Sequence, residues 1–258
     1  MRSRIPAIAL NTFREAIRDR VLYNLVVFAL LLVASAPLFG QISIGLERLI
    51  VINVGLTSIS IFGVIIAIFI GIGLVSKEIE KRTLYTILSR PVRRWEFISG
   101  KYLGLMLTLA VNTALMTAGL YLALFAFARN QHPGDPQLLV AVYFTLLELA
   151  IITAITLLFS AFSSPIFSAI FTFALFVIGT FAEDLRGFAS VAHGLTKTLA
   201  TAVAYLVPNF ASLNVIGLVA HDQHISGRLI LLNSLYVLFY AGATVVASIL
   251  IFERRNLK

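Results

Sequence analysis

Residues 49–75 read LIVINVGLTSISIFGVIIAIFIGIGLV, a run without a single charged side chain. Wound as an α-helix it would reach roughly 40 Å, more than the hydrocarbon core of a bilayer, about 30 Å thick. It is continuous and lacks period-2 alternation, so it reads as a spanning helix and not as a barrel strand. Directly after it, residues 76–101 read SKEIEKRTLYTILSRPVRRWEFISGK, the densest polar segment of the chain. An apolar helix delivered into a basic segment sets the frame for everything else.

Working outward, five more runs have the same character: 21–39, 102–128, 138–162, 166–182 and 229–252. The expected fold is therefore an all-α membrane protein with six transmembrane helices. Only Ser163, Ser164 and Pro165 separate the fourth run from the fifth. Composition agrees. Of 258 residues 59% are hydrophobic and 12% charged, about half the charge of a soluble domain, and the mean hydropathy is +0.96. These values exclude a secreted globule, a disordered scaffold and a cytosolic enzyme. With no cysteine there is no disulfide, thiolate metal site or thiol nucleophile.

The net charge of +8 would suggest nucleic acid in a soluble protein. Here the charges lie between apolar runs, so topology and anionic lipid headgroups explain them and no nucleic-acid partner is expected. Segments 1–20, 76–101 and 253–258 hold 5, 7 and 3 of the 20 lysines and arginines, and 163–165 holds none. Segments 40–48, 129–137 and 183–228 hold 1, 1 and 3. The positive-inside rule then puts both termini in the cytoplasm. Residues 1–20 lack a convincing small-residue cleavage site, so the first span is expected to be retained.

Two non-spanning pieces stand out. Ile5, Ile8, Ala9, Phe13, Ala16 and Ile17 recur at helical spacing, with Arg14, Glu15, Arg18 and Asp19 mostly opposite. This predicts an amphipathic helix within 1–20, lying on the inner leaflet. Segment 183–228 is too long and apolar for a plain loop. Its stretches 191–207 and 210–220, either side of Pro208-Asn209, read as short outer helices that dip toward the membrane without crossing, with a further pair of short spans as the alternative.

Within 76–101, Leu84, Ile87, Leu88, Pro91, Val92 and Trp95 form a one-sided apolar stripe. Pro91 disfavours helical geometry at Arg90, giving a helix, an elbow and a second short helix. A basic helix–elbow–helix suits docking to another protein; a solvated loop whose arginines only set topology is the alternative.

The run Glu78-Ile79-Glu80-Lys81-Arg82-Thr83-Leu84, then Leu88-Ser89-Arg90-Pro91-Val92-Arg93-Arg94, then Gly100-Lys101, resembles the first cytoplasmic loop of ABC-2 type permease subunits of ATP-binding-cassette transporters. Arg82 stands where that pattern has glycine. Pro208-Asn209, the residues 252–255 and the amphipathic N-terminal helix resemble the family too, and the subgroup most similar is that of the nitrous-oxide-reductase maturation permeases. The resemblance implies one transmembrane domain over 1–258 that pairs with a second copy or a related permease and binds separate ABC ATPase subunits. Residues 76–101 would be the coupling segment. Glu78, Lys81, Arg82, Thr83 and Leu84 would lead into it, Leu88, Pro91 and Val92 would seat in the ATPase, and Arg90, Arg93 and Arg94 would orient it. ATP and Mg would sit on the partner, with no cofactor on this chain. No G-x-x-x-x-G-K-[ST] occurs, in keeping with a separate ATPase. Glu78 and Glu80 would tie the segment to the amphipathic helix.

Deep in the fourth span lies Glu148. An intramembrane carboxylate costs about 2.5–3.5 kcal/mol on insertion scales. It is a polar point on the substrate or proton path, a helix-to-helix bond to Thr145, Thr153 or Asn112, or a protonated acid. Gly63, Ala67 and Gly71 form a small-residue face on the second span, which would serve helix packing or border the translocation path. His132, His193, His221 and His224 fall outside the spans, and no metal site is expected from them. Three functions are weighed. They are an exporter's membrane subunit, a non-translocating complex that transmits ATPase motion to an outer partner, and an intramembrane enzyme. The last lacks convergent reactive groups at one depth.

Overall fold

The computed structural model describes residues 4–40, 46–80, 93–127 and 136–254. All regular structure among them is helical. The helices are α1 (Ile5–Ile17), α2 (Arg20–Gly40), α3 (Glu47–Glu80), α4 (Arg94–Phe127), α5 (Pro136–Phe162), α6 (Pro165–Thr180), α7 (Ala182–Val191), α8 (Gly194–Leu206), α9 (Ile216–Ala220) and α10 (Gly227–Arg254), with a 3₁₀ turn at Ala211–Leu213.

Five of them, α2, α3, α4, α5 and α10, are each long and apolar enough to cross a membrane. The fifth expected span, 166–182, is α6, and at 16 residues it extends only about 24 Å. It reaches spanning length only together with α7, from which it is bent by 60°. A second bent pair follows: α8 and the stretch Ala211–Ala220 meet at 43°. The outer segment thus contains the two expected helical stretches and a third, α7, that the sequence reading missed. Glu183 and Asp184 occupy its first turn, where acids favour the positive end of the helix dipole.

Local chemistry fixes the ends. Pro6 lies in the first turn of α1, where its missing N–H forfeits nothing. Asp19 then accepts the Val21 N–H at 3.0 Å and caps α2, which starts at the next residue. Ser164 adopts extended geometry before Pro165, the first residue of α6, so the break between the fourth and fifth runs is a proline-initiated restart. At α4 the Arg93 N–H donates to the Glu96 carboxylate at 3.1 Å, the reciprocal half of a capping box. The polar residues 94–101 are therefore the opening turns of one helix that runs on to Phe127, and the second short helix expected after the elbow is not a separate element.

At the centre stands α5, packed by α3, α4, α6 and α10, while α3 also contacts α2 and α9. Apolar side chains at the periphery face outward, among them Phe125 on α4 and Phe239 on α10. This suits a lipid solvent, since the hydrocarbon does not penalise them.

Contacts are tightest where one partner is glycine. A Cβ on Gly63 would lie 2.9 Å from Leu149 Cδ1, and one on Gly71 would lie 2.8 Å from Thr156 Cγ2. Ala67 between them is buried. The α3 stripe faces α5, which presents bulky side chains to its notches. The same device seats α1 on α4. A Cβ on Gly100 would sit 2.6 Å from Ile8 Cγ2, and one on Gly104 would sit 2.6 Å from the Ala9 carbonyl oxygen. By contrast, a Cβ on Gly73 would meet none of the described residues within 4 Å.

This contrast gives a direct test. Gly104→Leu forces side chain against backbone and is expected to cost about 1–3 kcal/mol or more, seen as a lower melting temperature and loss of monodisperse protein. Gly73→Ala meets no described residue and should be neutral or gain about 0.5–1 kcal/mol. Equal melting temperatures for the two variants would refute the close seating of α1.

Candidate functional site

Two places in the bundle bring polar chemistry together. One is the end that holds both α1 and the close of α10. There Lys101, with 1% of its surface exposed, has its Nζ 3.7 Å from Glu15 Oε2 and 5.6 Å from the centre of the Phe97 ring. A buried ammonium needs such partners, a carboxylate and an aromatic face. Phe97 stacks on Phe252 at 5.8 Å and 18°, and both join Ile98 and Ala161 in a small apolar cluster. Arg94 donates from Nη1 to the carbonyls of Phe252 at 3.0 Å and Glu253 at 2.8 Å. A helix's last carbonyls have no partner within the helix, and a cation there also suits the dipole.

The opening turns of α4 are therefore fastened at once to α1, to the end of α5 and to the end of α10. Those turns are the last part of the coupling segment, 76–101, expected from the sequence. Of the residues named for it, Lys81, Arg82, Thr83, Leu84, Leu88, Arg90, Pro91 and Val92 lie outside the described residues. Glu78 falls in the final turns of α3, while Arg93 and Arg94 begin α4. Among the described residues the acid–base tie to the amphipathic helix is made by Glu15 and Lys101, a pair the sequence reading did not single out as such. The signal was present: Gly100-Lys101-x-x-Gly104 offers two small residues four apart beside a cation, opposite an amphipathic helix that carries Glu15.

The second place lies at mid-depth. Ser60 of α3 donates its hydroxyl to Glu148 Oε2 at 2.9 Å. Two of the three expected partners are bonded within their own helix. Thr145 donates to the Ala141 carbonyl at 3.1 Å and Thr153 to that of Leu149 at 2.7 Å. Ser60 was missed because only the register of α3 on α5 identifies it. Glu148 and Ser60 line a cavity of about 310 Å³ that reaches from α3 and α5 to α6 and the turn before α9. Phe210, directly after Pro208-Asn209, is part of its lining. The Phe210 N–H donates to the Gly179 carbonyl at 3.1 Å, and the Tyr236 hydroxyl oxygen of α10 accepts the Asn209 N–H at 2.9 Å.

At the opposite end of the bundle Arg48 pairs with Asp222. Gln137 approaches His224 at 3.4 Å, and no group of three His, Asp or Glu side chains able to hold a metal occurs among the described residues.

Long apolar helices, wrapped around a central helix and gathered at a basic end, define a multi-pass integral membrane protein. The family follows from the sequence. Residues 6–257 match the ABC-2 family transporter proteins, and the chain belongs to that family. No curated protein matches it. Membrane subunits of this family lack an ATPase domain, bind no cofactor themselves and work with ATPase subunits.

A double-mutant cycle tests the first site. Glu15→Ala deletes the carboxylate facing the Lys101 ammonium and should cost about 1–3 kcal/mol, moderated because Glu15 is 41% exposed. Adding Lys101→Met removes the charge while keeping the packing and should recover part of the loss in thermal unfolding. Strictly additive losses would show that the two side chains do not interact.

Proposed function

We propose that this chain is the permease half of an ATP-driven exporter. As one domain over 1–258 it pairs with a second copy or a related permease and seats a separate ATPase against residues 76–101. The basic end, with both termini, faces the cytoplasm, as its share of lysine and arginine argues, and the membrane is the plasma membrane of a bacterium or archaeon. Within the family we group it with the nitrous-oxide-reductase maturation permeases, on the 76–101 motif alone.

One observation carries the coupling role: the helix that leaves segment 76–101 is tied to three other elements within its opening turns. A push on the elbow would travel as a rigid displacement of α4 and reach α1, α5 and α10 together. In this scheme Leu88, Pro91 and Val92 seat in the ATPase. Arg90 and Arg93 orient the contact, and Glu78, Lys81, Arg82, Thr83 and Leu84 carry it from α3. Arg94, bonded to the α10 carbonyls, transmits the motion. Gly63, Ala67 and Gly71 keep α3 and α5 moving as one, and Glu148 is the polar point on the path.

A second reading is favoured by the outer helices. Leu195, Tyr205 and Leu206 of α8 are each more than three-quarters exposed, a surface that could contact a partner outside the membrane. In that reading ATPase motion drives the partner and no substrate crosses.

The test exploits the absence of cysteine. With Leu88→Cys and one cysteine in the groove of the co-expressed ATPase, a crosslink whose yield changes with ATP is expected. No crosslink, together with no ATPase retained on purification, would refute the coupling role. Substrate flux in sealed vesicles separates the exporter from the complex that only transmits motion.

A further inference from the structure

The cavity at mid-depth has a composition that selects its occupant. Among the described residues its acid is Glu148, and no lysine, arginine or histidine of them lines it. Ser60 supplies one hydrogen bond to one carboxylate oxygen, which orients the group without balancing a charge. The remaining polar atoms near it are hydroxyls and an amide, from Thr57, Thr180 and Asn214 among others. Phe176, Phe181 and Phe210 supply aromatic walls, Phe176 and Phe210 lying 5.5 Å apart at a tilt. Thr57 and the apolar Ile61 and Phe181 at its border are exposed, so the cavity opens between α3 and α6.

A carboxylate in hydrocarbon is costly unless a counter-charge accompanies it. A cation entering here meets that carboxylate and aromatic faces that attract positive charge. The size, about 310 Å³, is at the lower end of pockets that enclose drug-sized molecules. A bare metal ion fits poorly: hard cations take six or more oxygen ligands, usually with several carboxylates, and no group of three acids or histidines converges among the described residues. An anion would face the carboxylate.

We propose that the cavity is a binding site for lipophilic organic cations, with Glu148 as counter-ion and the phenylalanines as its walls. The proposal deepens the exporter reading and rests on it in taking such cations as the substrate class; binding itself does not depend on the ATPase.

The probe is radiolabelled tetraphenylphosphonium, with tetraphenylborate as a competitor of the same shape and opposite charge. Binding is measured on the full chain in phosphatidylcholine nanodiscs. Saturable binding is expected, weakened about tenfold or more in Glu148→Gln and little affected by tetraphenylborate. Should Glu148→Gln fail to yield monodisperse protein, Ile61→Trp serves instead. It fills the mouth from an exposed apolar position and is expected to abolish saturable binding. No saturable binding by the wild type, equal binding by wild type and the variant, or equal competition by tetraphenylborate would overturn the proposal. If the ATPase crosslink succeeds while cation binding fails, only this inference falls. If cation binding depends on Glu148 while no ATPase assembles, the exporter reading falls and the site stands.

Discussion

Two notches on α3 govern the arrangement of the bundle. Leu149 of α5 enters the gap at Gly63, and Thr156, two turns on, enters the gap at Gly71. In a bilayer there is little hydrophobic drive between helices, so close packing must supply the attraction, and missing side chains let backbones approach. Those contacts also fix register. Glu148 precedes Leu149, and Ser60 lies one turn before Gly63. Once Leu149 is seated, the carboxylate stands opposite the hydroxyl that binds it. The cavity, its acid and the route to it all inherit their positions from this fit.

The same logic serves a different purpose where α1 meets α4. Gly100 and Gly104 admit the backbone of α1, and the close approach encloses Lys101, a residue that would otherwise reach for water. Its ammonium is then held by Glu15 and Phe97. Arg94 meanwhile satisfies carbonyls at the end of α10. Small residues bring the elements together, and charges then lock their relative angle. Such locking matters little for an inert span and a great deal for a helix that has to carry motion.

Much of this was legible from the chain. The apolar runs marked the long helices, and Ser163-Ser164-Pro165 marked a true restart. The alternation of Ile5, Ile8, Ala9 and Phe13 with charges marked α1. The limits were physical. Apolar length fails to distinguish a straight span from a helix that bends at Phe181, because bending depends on the turn at Pro208–Phe210 docking against Gly179, a contact between segments nearly thirty residues apart. Partners of buried polar groups were equally hidden. Thr145, Thr153 and Asn112 were plausible for Glu148 by depth, but register between helices gave the bond to Ser60. The role first given to Arg94, orientation of a partner, likewise overlooked carbonyls more than 150 residues away.

The shortness of α6 has a consequence for the lipid around it. A helix of about 24 Å stands in a hydrocarbon layer about 30 Å deep, and at its outer end the chain turns aside by 60°. A helix shorter than the layer around it is accommodated by local thinning of the membrane or by snorkelling of flanking residues, at a modest cost for each ångström. Thinning there would fall beside the opening between α3 and α6. Acyl-chain length thus becomes a variable of this protein's environment, acting at the flank where the bundle is least thick.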